Sequence, residues 1–132
     1  MEVRYKLKLA DHLAWYDYYL STPEGACLRS SAPLDRLRRW WYALMVILPP
    51  SRHALGERTL EANGEGVRES SPKFSFATAW SAMGLVAVTP SHLFLAHVSM
   101  NAHIVPLKFF KSGAERESFV LFAKSHVSRT SC

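Results

Sequence analysis

The sequence predicts an α+β protein, and three patterns support this class. Apolar and polar residues alternate near the N-terminus and again after residue 50, which indicates strands with one buried face. Apolar residues at helical spacing separate these strands, and a capped helix follows the last one. The chain has 132 residues, of which 48% are hydrophobic and 20% charged. It therefore fits one globular domain, 1–132, with an N-terminal segment (residues 1–30), an apolar helix (residues 31–50) and a β-rich segment (residues 51–132).

The N-terminal segment predicts one strand and one helix. Residues 3–9 alternate between apolar and basic side chains, and the apolar residues of 12–20 recur at helical spacing. Asp11 is placed to cap the first turn of that helix, which we expect to end near Ser21 because a proline follows. Residues 22–33 ("TPEGACLRSSAP") have the composition of a loop.

Residues 32–48 predict a second helix, which changes from basic to apolar along its length. Ser31 is a suitable N-cap, and the pair Pro49–Pro50 prevents continuation. Because its second half is apolar all round, this end must be buried against something. Three partners stay open: the core of the same chain, an anionic membrane surface, or protein, including a second copy. The residues predicted to contact a membrane or partner are Arg36, Arg38, Arg39, Trp40, Trp41 and Tyr42.

The β-rich segment predicts an antiparallel meander closed by a helix. Two runs flank residues 63–66, where Asn and Gly tolerate the positive φ of a tight turn. Further short strands are expected within 73–80, 84–89, 93–97 and 102–110. This spacing is typical of antiparallel sheets rather than βαβ units. Ser112 and Glu115 form a capping box before the final helix, beneath which we expect Trp80 to anchor the core.

The net charge of +5 favours an anionic partner, which is nucleic acid, anionic lipid or an acidic protein. A basic-aromatic surface is predicted from Lys108, Phe109, Phe110 and Lys111, and the basic face of the first strand adds Arg4, Lys6 and Lys8. Stacking on bases requires an exposed phenylalanine, whereas a packing role requires both to be buried. A soluble basic nucleic-acid-binding domain is therefore the alternative function.

No motif predicts catalysis. GxSxG, HExxH, the P-loop and GxGxxG are all missing from the sequence. The glutamates between residues 57 and 69 are expected on the solvent face of a hairpin. His97 and His103 approach each other if residues 98–101 form a turn, but two histidines are fewer ligands than zinc requires, and we expect them exposed at strand ends. We predict a non-enzymatic protein that holds no metal and no cofactor.

The order of these segments resembles the YcxB-like family of bacterial membrane proteins. The residues that carry the resemblance are "LGERTLEANGEGVRES", Trp80, "VTPSHLFLAH", "AHIVPLKFF" and "SGAERESFVLFAKSH", together with the opening "YKLKLADHLAWYDYYLSTP". The resemblance implies a domain similar to pleckstrin-homology-like (PH-like) folds. The expected fold is an N-terminal strand and helix, one basic-to-apolar helix, and an antiparallel PH-like sheet closed by a C-terminal helix. It also implies two transmembrane helices and no established reaction.

The chain departs from that family where the transmembrane hairpin is expected. Its longest uninterrupted apolar run has nine residues, Trp40–Leu48. Nine helical residues span about 14 Å, whereas the hydrocarbon core of a bilayer is about 30 Å thick. The N-terminus lacks signal-peptide features, and the two cysteines lack CxxC spacing, so we expect free thiols in a reducing compartment. The expected protein is a membrane-associated or protein-interaction module, cytoplasmic or peripheral on the cytoplasmic face of the inner membrane.

Overall fold

The computed structural model describes residues 1–22, 32–48, 55–97, 102–127 and 130–131. The chain forms two compact units: unit 1 contains Met1–Lys6 and Glu57–Cys132, and unit 2 contains Leu7–Gly56. The predicted cap Ser31, the predicted turn 98–101, the proline pair at 49–50 and both cysteines lie outside the described residues.

Eight strands and three helices make up the described part of the chain. In chain order they are β1 (Glu2–Leu7), α1 (Leu9–Ser21), α2 (Ala32–Ile47), β2 (Gly56–Ala62), β3 (Gly66–Ser70), β4 (Ser75–Ala79), β5 (Met83–Val88), β6 (His92–His97), β7 (Ala102–Pro106), α3 (Gly113–His126) and β8 (Thr130–Ser131). Short 3-10 turns occupy Trp80–Ala82 and Leu107–Phe109. This content confirms the predicted α+β class.

Unit 1 contains two sheets, with the strand orders β1-β2-β3-β4 and β7-β6-β5-β8. The pairs β2/β3, β3/β4, β5/β6 and β6/β7 are antiparallel. Met1 and Ala62 exchange two backbone hydrogen bonds of 2.8 and 3.1 Å, which makes β1 antiparallel to β2 as well. The short β8 was not predicted, and it pairs parallel with β5. Two mainly antiparallel sheets with a C-terminal helix fit the arrangement that the resemblance implies.

The β2/β3 hairpin forms where the Asn-Gly pair predicts it. The Asn63 side-chain oxygen accepts hydrogen bonds from the amides of Glu65 and Gly66, at 2.8 and 3.1 Å. The indole nitrogen of Trp80 donates to the Asn63 carbonyl at 2.7 Å. The turn is therefore held both by its own side chain and by the 3-10 turn that follows β4.

Helix α3 closes unit 1 against aromatic side chains. Its N-cap is Ser112, whose hydroxyl accepts a hydrogen bond from the Glu115 amide at 3.1 Å, as predicted. Phe119 lies 5.4 Å from Phe110 between ring centroids, and Phe122 lies 6.0 Å from Trp80. Trp80 is buried, so its predicted role as a core anchor beneath the helix is confirmed.

The described part of unit 2 contains α1 and α2, which contact each other through an aromatic pair and an ion pair. The rings of Tyr16 and Tyr42 stack at 4.8 Å, and the Arg39 guanidinium binds both carboxylate oxygens of Asp17 at 3.0 and 3.2 Å. The start of α1 corrects the predicted cap. The helix begins at Leu9, because the Asp11 carboxylate accepts a hydrogen bond from the Lys8 amide at 2.7 Å from within the first turn.

Candidate functional site

The exposed face of α2 is the first candidate site. Trp40 and Trp41 are 63% and 62% exposed, and Arg36, Arg38 and Arg39 are exposed as well. Of the residues predicted to contact a membrane or partner, Tyr42 alone is half-buried, because it stacks on Tyr16. The described part of the chain leaves the apolar end of this helix largely open to solvent.

Five of the seven exposed large apolar side chains between Leu34 and Leu48 form a continuous stripe. We define the apolar stripe as Leu34, Leu37, Trp41, Met45 and Leu48, all of which are exposed. Their spacings of three or four residues place them on one side of a helix with 3.6 residues per turn. The buried Val46 and the half-buried Tyr42 lie away from this side. One side of the helix thus packs within unit 2, and the side that carries the stripe faces solvent.

The arginines of α2 do not all have the same surroundings. Arg39 is held by the two-point ion pair with Asp17, and this hydrogen bond together with the Asp17 charge raises the pKa of Arg39 above its ordinary value. Arg36 and Arg38 precede the two tryptophans and remain exposed. Arg36 and Arg38 are therefore exposed on α2, whereas Arg39 joins α1 and α2.

The predicted basic-aromatic surface divides into a buried half and an open half. Phe110 is buried against Phe119, which assigns it to packing. Phe109 is half-buried, and the ammonium of Lys108 lies 5.4 Å from its ring centroid. Lys108 and Lys111 are exposed. The structure thus gives the two phenylalanines different surroundings, although they are adjacent in sequence.

A pocket in unit 1 brings Phe109 next to the basic face of β1. Its volume is about 540 Å³, and its lining residues are Arg4, Tyr5, Lys6, Glu57, Arg58, Thr59 and Phe109. The exposed Arg4 and Lys6 belong to the basic face that the alternation in β1 predicts, whereas Tyr5 and Arg58 are buried. The residues that line the pocket therefore include three cations, one carboxylate and two aromatic rings.

Glu69 lies at the centre of a buried polar cluster in unit 1. Its Oε1 accepts a hydrogen bond from the Tyr5 hydroxyl at 2.8 Å and lies 3.4 Å from His103 Nδ1. Its Oε2 lies 3.6 Å from Arg58 Nε. The Thr78 hydroxyl contacts His103 Nε2 at 3.1 Å. We call Tyr5, Arg58, Glu69, Thr78 and His103 the Glu69 cluster; it joins four strands of the first sheet to β7 of the second.

Aromatic rings enclose the Glu69 cluster. The ring of Phe76 stacks on His103 with a centroid distance of 5.0 Å, and the Arg58 guanidinium lies 4.7 Å from the Phe74 centroid. Phe74 and Phe76 stack on each other at 5.9 Å. These contacts use the π faces of the rings to surround charged groups that would otherwise meet water.

Burial and pairing shift the pKa of the Glu69 carboxyl in opposite directions. Desolvation raises its pKa, but the hydrogen bond and charge of His103, the hydrogen bond of Tyr5 and the charge of Arg58 outweigh it, so the pKa lies below 4.5. Burial, followed by the charge and hydrogen bond of Glu69, holds the pKa of Tyr5 well above its ordinary value. The cluster therefore keeps Glu69 ionised and Tyr5 protonated at neutral pH.

The contacts of Thr78, His103 and Glu69 have the order hydroxyl, imidazole and carboxylate. This is the order found in nucleophile–base–orienter triads, in which the hydroxyl attacks a substrate held beside it. Here the imidazole lies beneath Phe76, and the described pocket is lined by Tyr5 and Arg58 rather than by Thr78 or His103. The arrangement suits a buried structural network better than a reacting group.

Two interpretations from the sequence were wrong about this cluster. Glu69 is only 5% exposed rather than on the solvent face of the hairpin, and His103 is only 3% exposed rather than at an open strand end. A usable signal was present. Glu69 lies two residues from Val67, and His103 two residues from Val105, so each shares a face with a buried valine. His103 is paired with Leu95 across β6/β7 and therefore does not face His97.

The match to known proteins falls in the stretch of the chain that contains most of unit 1. Residues 62–123 match the family model of YcxB-like proteins. This match confirms the resemblance read from the sequence, over β3 to β7 and most of α3. Helices α1 and α2 lie outside the YcxB-like match. No curated protein and no solved structure is a significant match to the chain.

Two further properties of the described residues bear on the site. None of the helices within them is long and apolar enough to cross a membrane. The same residues contain no group of three or more histidine, cysteine, aspartate or glutamate side chains arranged to hold a metal ion. The pocket, the Glu69 cluster and the apolar stripe are therefore the features from which a function must be argued.

Proposed function

We propose that this YcxB-like protein is a non-enzymatic module that binds an anionic membrane surface through α2. The observation that carries the proposal is the apolar stripe, exposed on a helix that also carries Trp40 and two exposed arginines. Exposed apolar surface of this extent on one helix is unusual unless it meets a partner. The stripe and the arginines are the two components that bind interfacial helices to lipid.

The energetics favour association at an interface. Full burial of a Leu, Met or similar side chain is worth about 1.5–3 kcal/mol, and the stripe residues have roughly half of that still to gain. Each arginine adds about 1 kcal/mol close to an anionic leaflet. Trp40 and Trp41 have an apolar ring and a polar N–H, the combination that is enriched at headgroup depth. These contributions act together only if α2 lies along the membrane surface.

The length of α2 supports the same orientation. Its sixteen residues span about 24 Å, which is less than the hydrocarbon thickness of about 30 Å. Its stripe follows one side of the helix, and Arg36, Arg38 and the Arg39–Asp17 pair cover other parts of its surface. Such a helix satisfies its polar groups when it lies in the interface plane with the stripe toward the acyl chains.

The charge of the chain favours an anionic membrane over a protein as the partner that covers the apolar stripe. The chain carries a net charge of +5, and the helix that carries the stripe also carries the exposed Arg36 and Arg38. A second copy whose α2 packed parallel against this face would bring the arginines of both copies together, and like charges across an interface cost energy. An anionic bilayer instead supplies opposite charge and apolar depth on one surface.

Vesicle binding tests the proposal. The full chain should co-sediment with vesicles of mixed phosphatidylglycerol and phosphatidylcholine, and much less with pure phosphatidylcholine. The double variant Leu37→Glu/Trp41→Glu should weaken binding at least about tenfold, because it places two charges in the stripe. The control Leu121→Glu changes a 68% exposed leucine on α3 and should bind like the parent.

The same variants distinguish membrane binding from self-association and from a simple effect of charge. If light scattering shows a dimer that the double variant dissociates, and vesicles of either composition leave the protein in solution, α2 binds a second copy and the membrane proposal is wrong. If Leu121→Glu weakens vesicle binding as strongly as the double variant, the effect is one of added negative charge, and the stripe is not the binding face.

Nucleic-acid binding is supported less well as a second candidate. It depends on aromatic side chains that are free to stack on bases, whereas Phe110 is buried and Phe109 only half-exposed. The observation in its favour is that Phe109 shares a pocket with Arg4 and Lys6. A filter-binding titration with single-stranded oligonucleotides tests it directly, and saturable binding that Phe109→Leu abolishes would establish it.

A further inference from the structure

The pocket of unit 1 is lined by more charged and polar side chains than packing alone requires. Arg4 and Lys6 lie two residues apart on β1, so both side chains project from the same face, about 7 Å apart along the strand. Both are exposed. The volume of about 540 Å³ falls within the range of about 300–1,000 Å³ that is typical of small-molecule sites.

We propose that this pocket binds a phosphorylated small molecule with a planar ring, the chemistry that a mononucleotide presents. Arg4 and Lys6 supply donors for the phosphate, and Arg is suited to binding two of its oxygens at once. The half-buried ring of Phe109 supplies a face on which the planar group stacks. The site lies in unit 1 and does not depend on the membrane proposal for α2.

Glu57 and Thr59 narrow the ligand class. A pocket for phosphate alone gains nothing from a carboxylate, which repels an anion. Glu57 lines this pocket and is an acceptor, so it favours a ligand that also carries hydroxyl or amino donors. Thr59 adds a hydroxyl that both donates and accepts. A ring with amino or hydroxyl groups joined to a phosphate satisfies these groups together.

The floor of the pocket is rigid before the ligand arrives. It is formed by the backbone of β1 and β2, which is anchored from the opposite, buried face, where the Tyr5 and Arg58 side chains contact Glu69. At the rim, Arg4 Nε forms an exposed ion pair of 3.2 Å with Glu2. Exposed pairs of this kind contribute little, about 0–1 kcal/mol, so a phosphate can displace Glu2 at small cost. A rigid floor with an adaptable rim favours binding, because little order has to be created.

A titration of the intact ¹⁵N-labelled protein with adenosine 5′-monophosphate tests the proposal, with inorganic phosphate as the comparison probe. Saturable shifts should centre on the amides of β1, β2 and Phe109. Phosphate alone should bind at least about tenfold more weakly than the nucleotide, because it lacks the stacked ring. Arg4→Gln/Lys6→Gln should weaken nucleotide binding at least about tenfold, and Phe109→Leu at least about threefold.

The control is Arg68→Gln/Lys73→Gln, which removes the same two charges from exposed positions outside the pocket. It should change the affinity less than about twofold. If it weakens binding as much as Arg4→Gln/Lys6→Gln, the nucleotide is attracted by net charge alone and the site does not exist. If phosphate and nucleotide bind with equal affinity, the ring is not recognised and that part of the proposal is wrong. If no saturable shift is seen at about 10 mM probe, the whole proposal is wrong. Tighter binding of a single-stranded oligonucleotide, with shifts far beyond the pocket, reassigns the surface to nucleic acid.

Discussion

Glu69 connects three elements of unit 1 through one carboxylate: β1 through Tyr5, β2 through Arg58 and β7 through His103. The burial of such a group is costly unless every partner is present, because an uncompensated buried charge has lost its hydration. The stability lost when one partner is removed is therefore more informative than the summed strength of the contacts. The Glu69 cluster fixes how the two sheets meet, and its loss should be felt throughout unit 1.

Glu69→Gln should lower the free energy of unfolding by about 3 kcal/mol at neutral pH. The amide keeps the shape of the side chain, but it removes the negative charge beside the buried Arg58 and leaves the Tyr5 hydroxyl with a weaker acceptor. Urea unfolding followed by tryptophan fluorescence measures the change. Glu117→Gln on the exposed face of α3 is the matched control, and it should stay within about 0.5 kcal/mol of the parent.

The difference in stability between the parent and Glu69→Gln should also depend on pH. Because folding lowers the pKa of Glu69 below its ordinary value of 4.5, ionised Glu69 stabilises the folded state fully above about pH 4.5. This stability is lost as the pH falls through the folded pKa, where Glu69 becomes protonated and resembles the amide. The stability difference between parent and Glu69→Gln should therefore shrink as the pH is lowered from about 7 to about 3. A difference that stays constant over this range contradicts the assignment of the charge to Glu69.

At the scale of elements, the sequence predicted the strands of unit 1 well, because alternation is a local property. The expected hairpin 57–70 is observed as β2 and β3, and the expected cap at Ser112 is observed in α3. The Glu69 cluster was not predicted, because three of its four contacts join residues that lie 25 to 64 positions apart in sequence. Their pairing depends on strand order and on how the two sheets meet, which local periodicity does not encode.

Helix α2 illustrates a different kind of limit. The sequence predicted its extent within one or two residues and its change from basic to apolar side chains. It also predicted burial of the whole apolar end, whereas the described residues leave the apolar stripe exposed. A hydrophobic pattern states that a surface prefers to leave water, but it does not identify the partner that covers it.

The β3/β4 pair contains a position that should accept only glycine. A Cβ added to Gly66 would lie 2.9 Å from the Ala79 Cα and closer still to the backbone carbonyl of Thr78. These neighbours are backbone atoms of the paired strand, so the strands must separate to make room. Gly66→Ala should lower the thermal midpoint of unfolding by several degrees, equivalent to about 2 kcal/mol.

Gly64→Ala is the natural control for that substitution. It lies in the same turn region, and a Cβ there meets no atom within 4 Å. Its thermal midpoint should stay within about 2 °C of the parent. If both variants lose the same stability, the cause is the flexibility of the turn, and the close approach of β3 to β4 is not the constraint.

At the scale of the whole molecule, α1 and α2 are inserted between two strands that pair with each other. Counting along both strands from the Met1–Ala62 pair brings Leu7, the last residue of β1, opposite Gly56, the first residue of β2. Met1 and Ala62 form a hydrogen-bonded pair, and every second pair along an antiparallel ladder is of this kind, so the ladder predicts one at Leu7 and Gly56. A two-residue hairpin turn closes such a pair.

A chain in which Asn-Gly replaces residues 8–55 should therefore fold as unit 1 alone. It keeps both sheets, α3 and the Glu69 cluster, and it exceeds the size of about 60 residues at which domains commonly fold alone. We expect one cooperative thermal transition and a dispersed ¹H–¹⁵N spectrum. Because it lacks α2, it should lose vesicle binding while it keeps the pocket formed by Arg4, Lys6 and Phe109. A soluble chain with no cooperative transition would mean that unit 1 requires residues 8–55 to fold, and retained vesicle binding would place the membrane contact outside α2.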